Sequence, residues 1–250
     1  MKHLLLLLFL PLIAVNYSFE EEFEIQNNSF AVVQLFTSQG CSSCPKADDL
    51  LGKVKNDFSD KNVFVLSYHV DYWDRLGWKD PFSNKDYTLL QATYGVLLNS
   101  RNNYTPQAVI NGKIHFVGSE EKNMYNYLNT FLTLKPSNTV AIKIVKSKLG
   151  KVYFEYEVNG ETKNKELKVA LIIDKRETPI GNGENGGKKL TNRNIVIKEI
   201  SIPLHSSKGS EKIEIPELVL ENDKLRLVGF IQKKDYTITG ATQTNFINLH

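Results

Sequence analysis

The sequence predicts an α/β domain over about 27–136 followed by an all-β, antiparallel sandwich-like domain over about 137–250. Three observations predict this. Between Phe30 and Pro136 short apolar runs alternate with stretches of helical period. From about Ser137 the pattern changes to period two, and no helical stretch of useful length follows. The length left after an apolar leader also suits two modest domains.

The leader comes first. Lys2 precedes an apolar run from Leu4 to Val15, broken by Pro11. A bilayer span needs about 20 apolar residues, so the run reads as a secretory signal peptide over 1–18. The expectation is an exported protein of the periplasm or extracellular space, with no membrane span after signal removal. The acidic Glu20-Glu21-Glu22-Phe23-Glu24 reads as a lead-in.

Phe30–Phe36 is almost uninterruptedly apolar, as in a strand buried on both faces. After a Cys-x-x-Cys, the residues Ala47, Leu50, Leu51, Val54 and Phe58 fall on one helical face. Pro45 sits in that helix's first turn, where its missing N–H costs nothing. Asn62–Tyr68 is a second strand. Ser83 and Asp86, spaced like a capping box, open a helix carrying Tyr87, Leu90, Tyr94, Leu97 and Leu98. Asn111-Gly112 between two apolar runs predicts a hairpin. Ser119, with Glu120 and Glu121 behind it, opens a third helix that stops before Pro136. This order is a βαβ unit with a right-handed crossover, then a hairpin and a covering helix. In the second half, Thr139–Val145, Lys151–Val158, Leu167–Asp174, Asn194–Ile202 and Lys224–Gln232 alternate or run apolar. Leu149-Gly150 and Asn159-Gly160 supply turns.

Charge excludes one class of partner. The chain has 31 basic and 28 acidic residues. The basic excess of the second half is spread over strand positions such as Lys143, Lys146, Lys163, Lys165 and Lys168. Solvated sheet faces look like this, whereas a nucleic-acid site would cluster its charge.

The chemistry concentrates in Phe36-Thr37-Ser38-Gln39-Gly40-Cys41-Ser42-Ser43-Cys44-Pro45, which holds both cysteines of the chain. A bridge across two intervening residues closes little loop, so it makes a poor structural staple. Zinc wants four ligands, and only the isolated His69 and His115 are available to join the pair. A copper site from Cys41, Cys44 and His69 stays as an alternative, because soft thiolates with imidazole suit copper. A Cys-x-x-Cys beside a βαβ pattern reads as a redox centre. Cys41, expected at a helix N-terminus, would attack as the thiolate, and Cys44, one turn in, would resolve. The cofactor expectation is accordingly none beyond a redox-active Cys41–Cys44 disulfide, with no metal.

The element order, the Cys-x-x-Cys and Thr105-Pro106 before a strand resemble the thioredoxin fold. The stretches FTSQGCSSCPKADDLL, SYHVDYWDRLGWKDPFS, YTPQAVING and GENGGKKLTNRNIV together are similar to an exported, thioredoxin-like family of unknown function, DUF1223, over nearly the whole mature chain. The resemblance implies a cis-proline at Pro106, packed against the cysteines, with Thr105 before it; X-Pro bonds are where cis is cheap. Ser42-Ser43 stands where thioredoxin has Gly-Pro, and Gly40 replaces its tryptophan, which alters the expected potential.

Two further stretches bear on the site. The insertion from Asp71 to Phe82 brings Trp73 and Trp78 to the end of the sheet that carries Cys41. There they are candidate substrate contacts, with His69 or Asp71 acting on the thiol. The aromatics equally serve to cap the core beneath a long loop. The glycine-rich Ile180–Gly187 stretch contributes Glu184 and Asn185 as loop candidates. The function expected is thiol–disulfide exchange on a protein thiol or disulfide partner through Cys41, Cys44 and Pro106. The alternatives are a non-catalytic partner-binding module and a copper–thiol carrier.

Overall fold

The computed structural model describes residues 29–248, so the expected signal peptide lies outside the described residues. Strand β1 (Phe30–Thr37) is buried along its whole length, as its unbroken apolar run requires. It pairs in parallel with β2 (Asn62–His69), and α1 (Pro45–Asp57) makes the crossover. Helix α2 (Lys85–Leu97) opens on Asn84, whose side chain accepts from Asp86 N–H at 2.8 Å, so Asn84 rather than Ser83 is the cap. The hairpin β3 (Gln107–Ile110) and β4 (Ile114–Val117) follows antiparallel, and α3 (Glu121–Phe131) comes next. The hairpin turn is closely packed. A Cβ on Gly112, at φ +66°, would stand 2.0 Å from the Tyr236 carbonyl oxygen.

The second half supplies β5 (Thr139–Lys148), β6 (Lys151–Asn159), β7 (Lys165–Pro179), β8 (Lys189–Pro203) and β9 (Lys208–Glu214), then β10 (Leu225–Lys233) and β11 (Ile238–Gln243). These strands correct the expected fold class. No thioredoxin-like α/β domain followed by a β domain is present. A single mixed eight-stranded sheet runs β11-β10-β7-β8-β2-β1-β3-β4 and draws strands from both halves, while β5-β6-β9 form a second, three-stranded sheet.

The reason lies in β2 and β7. From Phe64 to His69 β2 is wholly buried, so its second edge must be covered or paired. Val169–Ile173 is likewise an unbroken buried run, the mark of a strand covered on both faces. Alternate residues of that run enter different cores. Val169, Leu171 and Ile173 meet β6 residues such as Phe154 and Val158 beneath the small sheet. Ala170 and Ile172 join Phe36, Tyr68 and Tyr94 on the α2 side. A third core beneath α1 and α3 contains Leu35, Leu51, Val65, Ile110 and Met124.

Within the large sheet the ladder between the halves is short. One parallel pair, Ser67 with Ile195, links β2 to β8, and Ser67 Oγ donates to the Arg193 carbonyl at 2.8 Å. Side chains reinforce it: Tyr68 donates its hydroxyl to Glu199 at 2.6 Å, and Lys55 of α1 pairs with Asp174 of β7.

Candidate functional site

The chain leaves β1 through Ser38, Gln39 and Gly40, all buried, and reaches Cys41 at the carboxyl end of the strand. Gly40 N–H is held by Ser38 Oγ at 3.1 Å, and Cys41 N–H by the Ser38 carbonyl at 3.2 Å. Trp73 presses on this turn; a Cβ on Gly40 would come within 3.2 Å of the Trp73 Cβ. Cys44 is the N-cap of α1, with Pro45 in the first turn, so the helix starts just past the second cysteine. Cys41 and Cys44 are joined in a disulfide, and both are fully buried.

Between them Ser42 and Ser43 are exposed. Ser43 Oγ lies 3.3 Å from Cys41 Sγ and donates to the Thr105 carbonyl at 3.4 Å. The Thr105–Pro106 peptide bond is cis. Trp73 Nε1 donates to Thr105 Oγ1 at 2.8 Å, which ties the insertion to the segment entering β3. The mouth of the site is therefore built from the β1–α1 turn, the insertion and the Thr105-Pro106 segment.

Behind the disulfide lies a layer of buried polar groups that converge on Gln39. Its N–H donates to Asp80 Oδ2 at 2.8 Å, and its amide nitrogen donates to Asn192 Oδ1 at 2.9 Å. Its amide oxygen accepts from Trp78 Nε1 at 3.1 Å, and its carbonyl accepts from Asn185 Nδ2 at 2.9 Å. Each of the four polar groups of Gln39 is thus engaged, by residues from three distant segments.

His69 Nδ1 and Asp80 Oδ2 form a fully buried ion pair at 2.6 Å. Burial alone would push the imidazole down; Asp80, with help from Asp48 and Asp74, outweighs it and holds His69 above its ordinary value. Burial would likewise raise Asp80, but His69 and the N–H groups of Gln39 and Phe82 hold its carboxyl below the usual range. Asp48 lies one helical turn beyond Cys44 and bonds its N–H to the Cys44 carbonyl at 3.1 Å. Burial raises its carboxyl to about 6 against smaller opposing influences from His69, Asn192 and Thr37. Asp48 Oδ1 and His69 Nε2 are both buried without a hydrogen-bond partner.

The segment Ile180–Lys188, which connects β7 and β8, comes over this end of the sheet. Asn185 Nδ2 donates to the carbonyls of both Gln39 and Cys41 at 2.9 Å, and Glu184 accepts from Ser42 N–H at 2.9 Å. Hydrogen bonding from the Ser42 side chain, and then from its N–H, holds the Glu184 carboxyl below its ordinary value. Trp78 packs beneath the segment; a Cβ on Gly181 would meet its ring at 3.3 Å.

A family model described as "Protein of unknown function (DUF1223)" matches residues 32–232. The chain belongs to this family. Residues 32–232 of this DUF1223 chain carry every site residue named above. Protein AGR_C_4864 from Agrobacterium tumefaciens is similar in structure, with a TM-score of 0.66 and 27% identity, over 88% of this chain and 96% of that one. HBP35 of Porphyromonas gingivalis gives a TM-score of 0.64 at 15% identity, over 88% of this chain and 76% of that one, and shows a shared fold. No curated protein matches the DUF1223 chain.

Of the residues singled out from sequence, Cys41, Cys44, Thr105, Pro106, Trp73, Trp78, Glu184 and Asn185 gather at one end of the large sheet. His69 stands behind them, linked through Asp80 and Gln39. No group of three or more His, Cys, Asp and Glu side chains among the described residues is arranged to hold a metal ion. Sequence reasoning missed Gln39, Asp80 and Asn192, and it gave Asp48 no place in the site. A signal for Asp48 was present: Cys44 and Asp48 are four apart and share a helical face. Nothing local distinguishes Asp80 from a turn former.

Proposed function

We propose that this DUF1223 chain exchanges thiols and disulfides with a second protein through Cys41 and Cys44. The observation that carries the reading is the disulfide at the β1–α1 junction, flanked by the exposed Ser42-Ser43 and by the Thr105 carbonyl. A bridge with a sequence separation of 3 constrains little of the unfolded chain, so its value lies in its chemistry. The apolar Leu4–Val15 run supports export, to a compartment in which disulfides persist. No described helix is long and apolar enough to cross a membrane.

In the exchange, a partner thiolate attacks Cys41 Sγ. A mixed disulfide forms, the Cys41–Cys44 bond breaks, and Cys44 leaves with the electron pair and takes up a proton. The partner's second thiol loses its proton and attacks the partner sulfur in the mixed disulfide, and Cys41 leaves as the thiolate and is protonated in turn. The partner dithiol is oxidised by two electrons and the pair is reduced. Run in reverse, Cys41 attacks a partner disulfide and Cys44 resolves the adduct. Asp48, raised to about 6 and one helical turn from Cys44, has a pKa suited to passing protons near neutral pH. Ser43 Oγ, beside Cys41 Sγ, can turn its one O–H from the Thr105 carbonyl to a thiolate there.

The test is the reduction potential of the pair together with trapping by a Cys44→Ser variant. Cys41 of that variant is expected to attack partner disulfides and be trapped as a mixed disulfide, the partner's other sulfur leaving as a thiolate. The reading fails if no adduct forms and Cys41 in that variant titrates near the ordinary thiol value of about 8.5.

A further inference from the structure

Both sulfurs are shielded, although Ser42 and Ser43 between them are exposed. A thiolate must approach a disulfide sulfur along the S–S axis, so a fully covered pair is closed to attack. The Ile180–Lys188 segment is bonded to the main chain of the cysteine loop. From Gly181 to Lys188 only Asn185 is buried, and that side chain pins the segment to the carbonyls of Gln39 and Cys41. Lys188 Nζ donates to Asn185 Oδ1 at 2.9 Å and so fixes which end of the amide faces the carbonyls. Glu184 holds the Ser42 N–H from outside.

The segment is built to lift as a unit. It carries its own turn, with Gly186 N–H bonded to the Gly183 carbonyl and Gly187 N–H to the Ile180 carbonyl. Gly183 and Gly187 take φ of +75° and +78°, in the region where only glycine is unstrained, and the space around a Cβ at Gly187 is empty. Lifting would break the three bonds of Asn185 and Glu184 to the cysteine loop and release Trp78, while the internal turn persists.

We infer that this segment is a gate over Cys41, and that a protein partner opens it by offering its own extended main chain in place of Asn185 and Glu184. The inference rests on the redox reading above. Asn185 gives N–H groups to two carbonyls, and Glu184 gives an oxygen to one N–H. An extended chain presents N–H and C=O groups alternately along its edge, the same pair of functions. A small thiol has neither, so it reaches the disulfide only when the segment opens on its own.

The test measures reduction of the folded, oxidised full chain by dithiothreitol, followed by maleimide labelling of the freed thiols. Asn185→Ala removes the two carbonyl contacts and should speed reduction roughly tenfold. Glu184→Ala alters only an exposed side chain, keeps the fold, and should speed it by about two- to threefold. Equal rates in wild type and both variants, with a Cys44→Ser mixed disulfide still forming, overturn the gate and leave the redox reading standing. A disulfide that resists reduction in all three folded proteins, with no adduct in Cys44→Ser, overturns both.

Discussion

Replacing Asp48 by Asn should stabilise the oxidised protein at neutral pH and leave it nearly unchanged in acid. Burial raises the Asp48 carboxyl from 3.8 to about 6 in the folded chain. Between those values the folded state holds a proton that the unfolded state has released, so stability falls as pH rises through this window. Above about 6 the full cost is present. At about 1.36 kcal/mol per pH unit it amounts to about 3 kcal/mol. Asparagine keeps an oxygen for the Thr37 hydroxyl, which donates to Asp48 at 3.2 Å, and carries no charge to desolvate. That shift already includes the opposing attraction of His69, so the expected gain stays at about 3 kcal/mol, or a rise in Tm of roughly 6–12 °C. Urea unfolding of wild type and Asp48→Asn at pH 3.5 and pH 7.5 reads it directly. A variant that loses stability at pH 7.5, or changes it equally at both pH values, refutes the reasoning.

Three more outcomes follow from the same geometry. Asp80→Asn leaves His69 buried and unpaired and should cost about 3–5 kcal/mol in urea unfolding at pH 5.5. The wild-type pair contributes fully between the ordinary carboxyl value of 3.8 and the ordinary imidazole value of 6.5. The Asp80 share is lost as pH falls through its lowered value and the His69 share as pH rises through its raised one, so the deficit of Asp80→Asn should narrow on both sides of that window. Gly112→Ala puts a Cβ 2.0 Å from the Tyr236 carbonyl at φ +66° and should lower stability by about 2 kcal/mol or more, seen as a reduced urea midpoint. Trp78→Ala removes the ring beneath Gly181 and Gly183, and hydrogen exchange of residues 181–187 should quicken by about tenfold, with the amides of β7 unaffected.

Local elements were legible because their signals are local. The apolar face of α1, the unbroken run of β1 and the Asn111-Gly112 turn each sit within one element, and the structure has all three where the pattern puts them. The assembly of the strands was not legible. Residues 169–173 already carry the unbroken run of a strand covered on both faces, yet nothing in that run says that β8 will lie beside β2 through one pair, Ser67 with Ile195. Pairing across more than a hundred residues is set by which edges remain open once everything else has packed. The same holds at the site. Glu184 and Asn185 stood out as polar residues among glycines, and Cys41 and Cys44 as a spaced pair. Gln39 and Asp80 have ordinary loop identities, and only the folded chain reveals that their polar atoms are committed to each other and to Trp78, Asn192 and His69.

The cover over the cysteines arrives late in the life of the chain. Asn185 lies 144 residues beyond Cys41, while the two cysteines are separated by only 3. At roughly 5–20 residues per second, synthesis leaves the pair without its cover for roughly 7–30 s. In that interval an oxidant meets an open, flexible Cys-x-x-Cys rather than a sealed one. The bond can therefore form before Asn185 and Glu184 are in place to hold the segment against the cysteine loop.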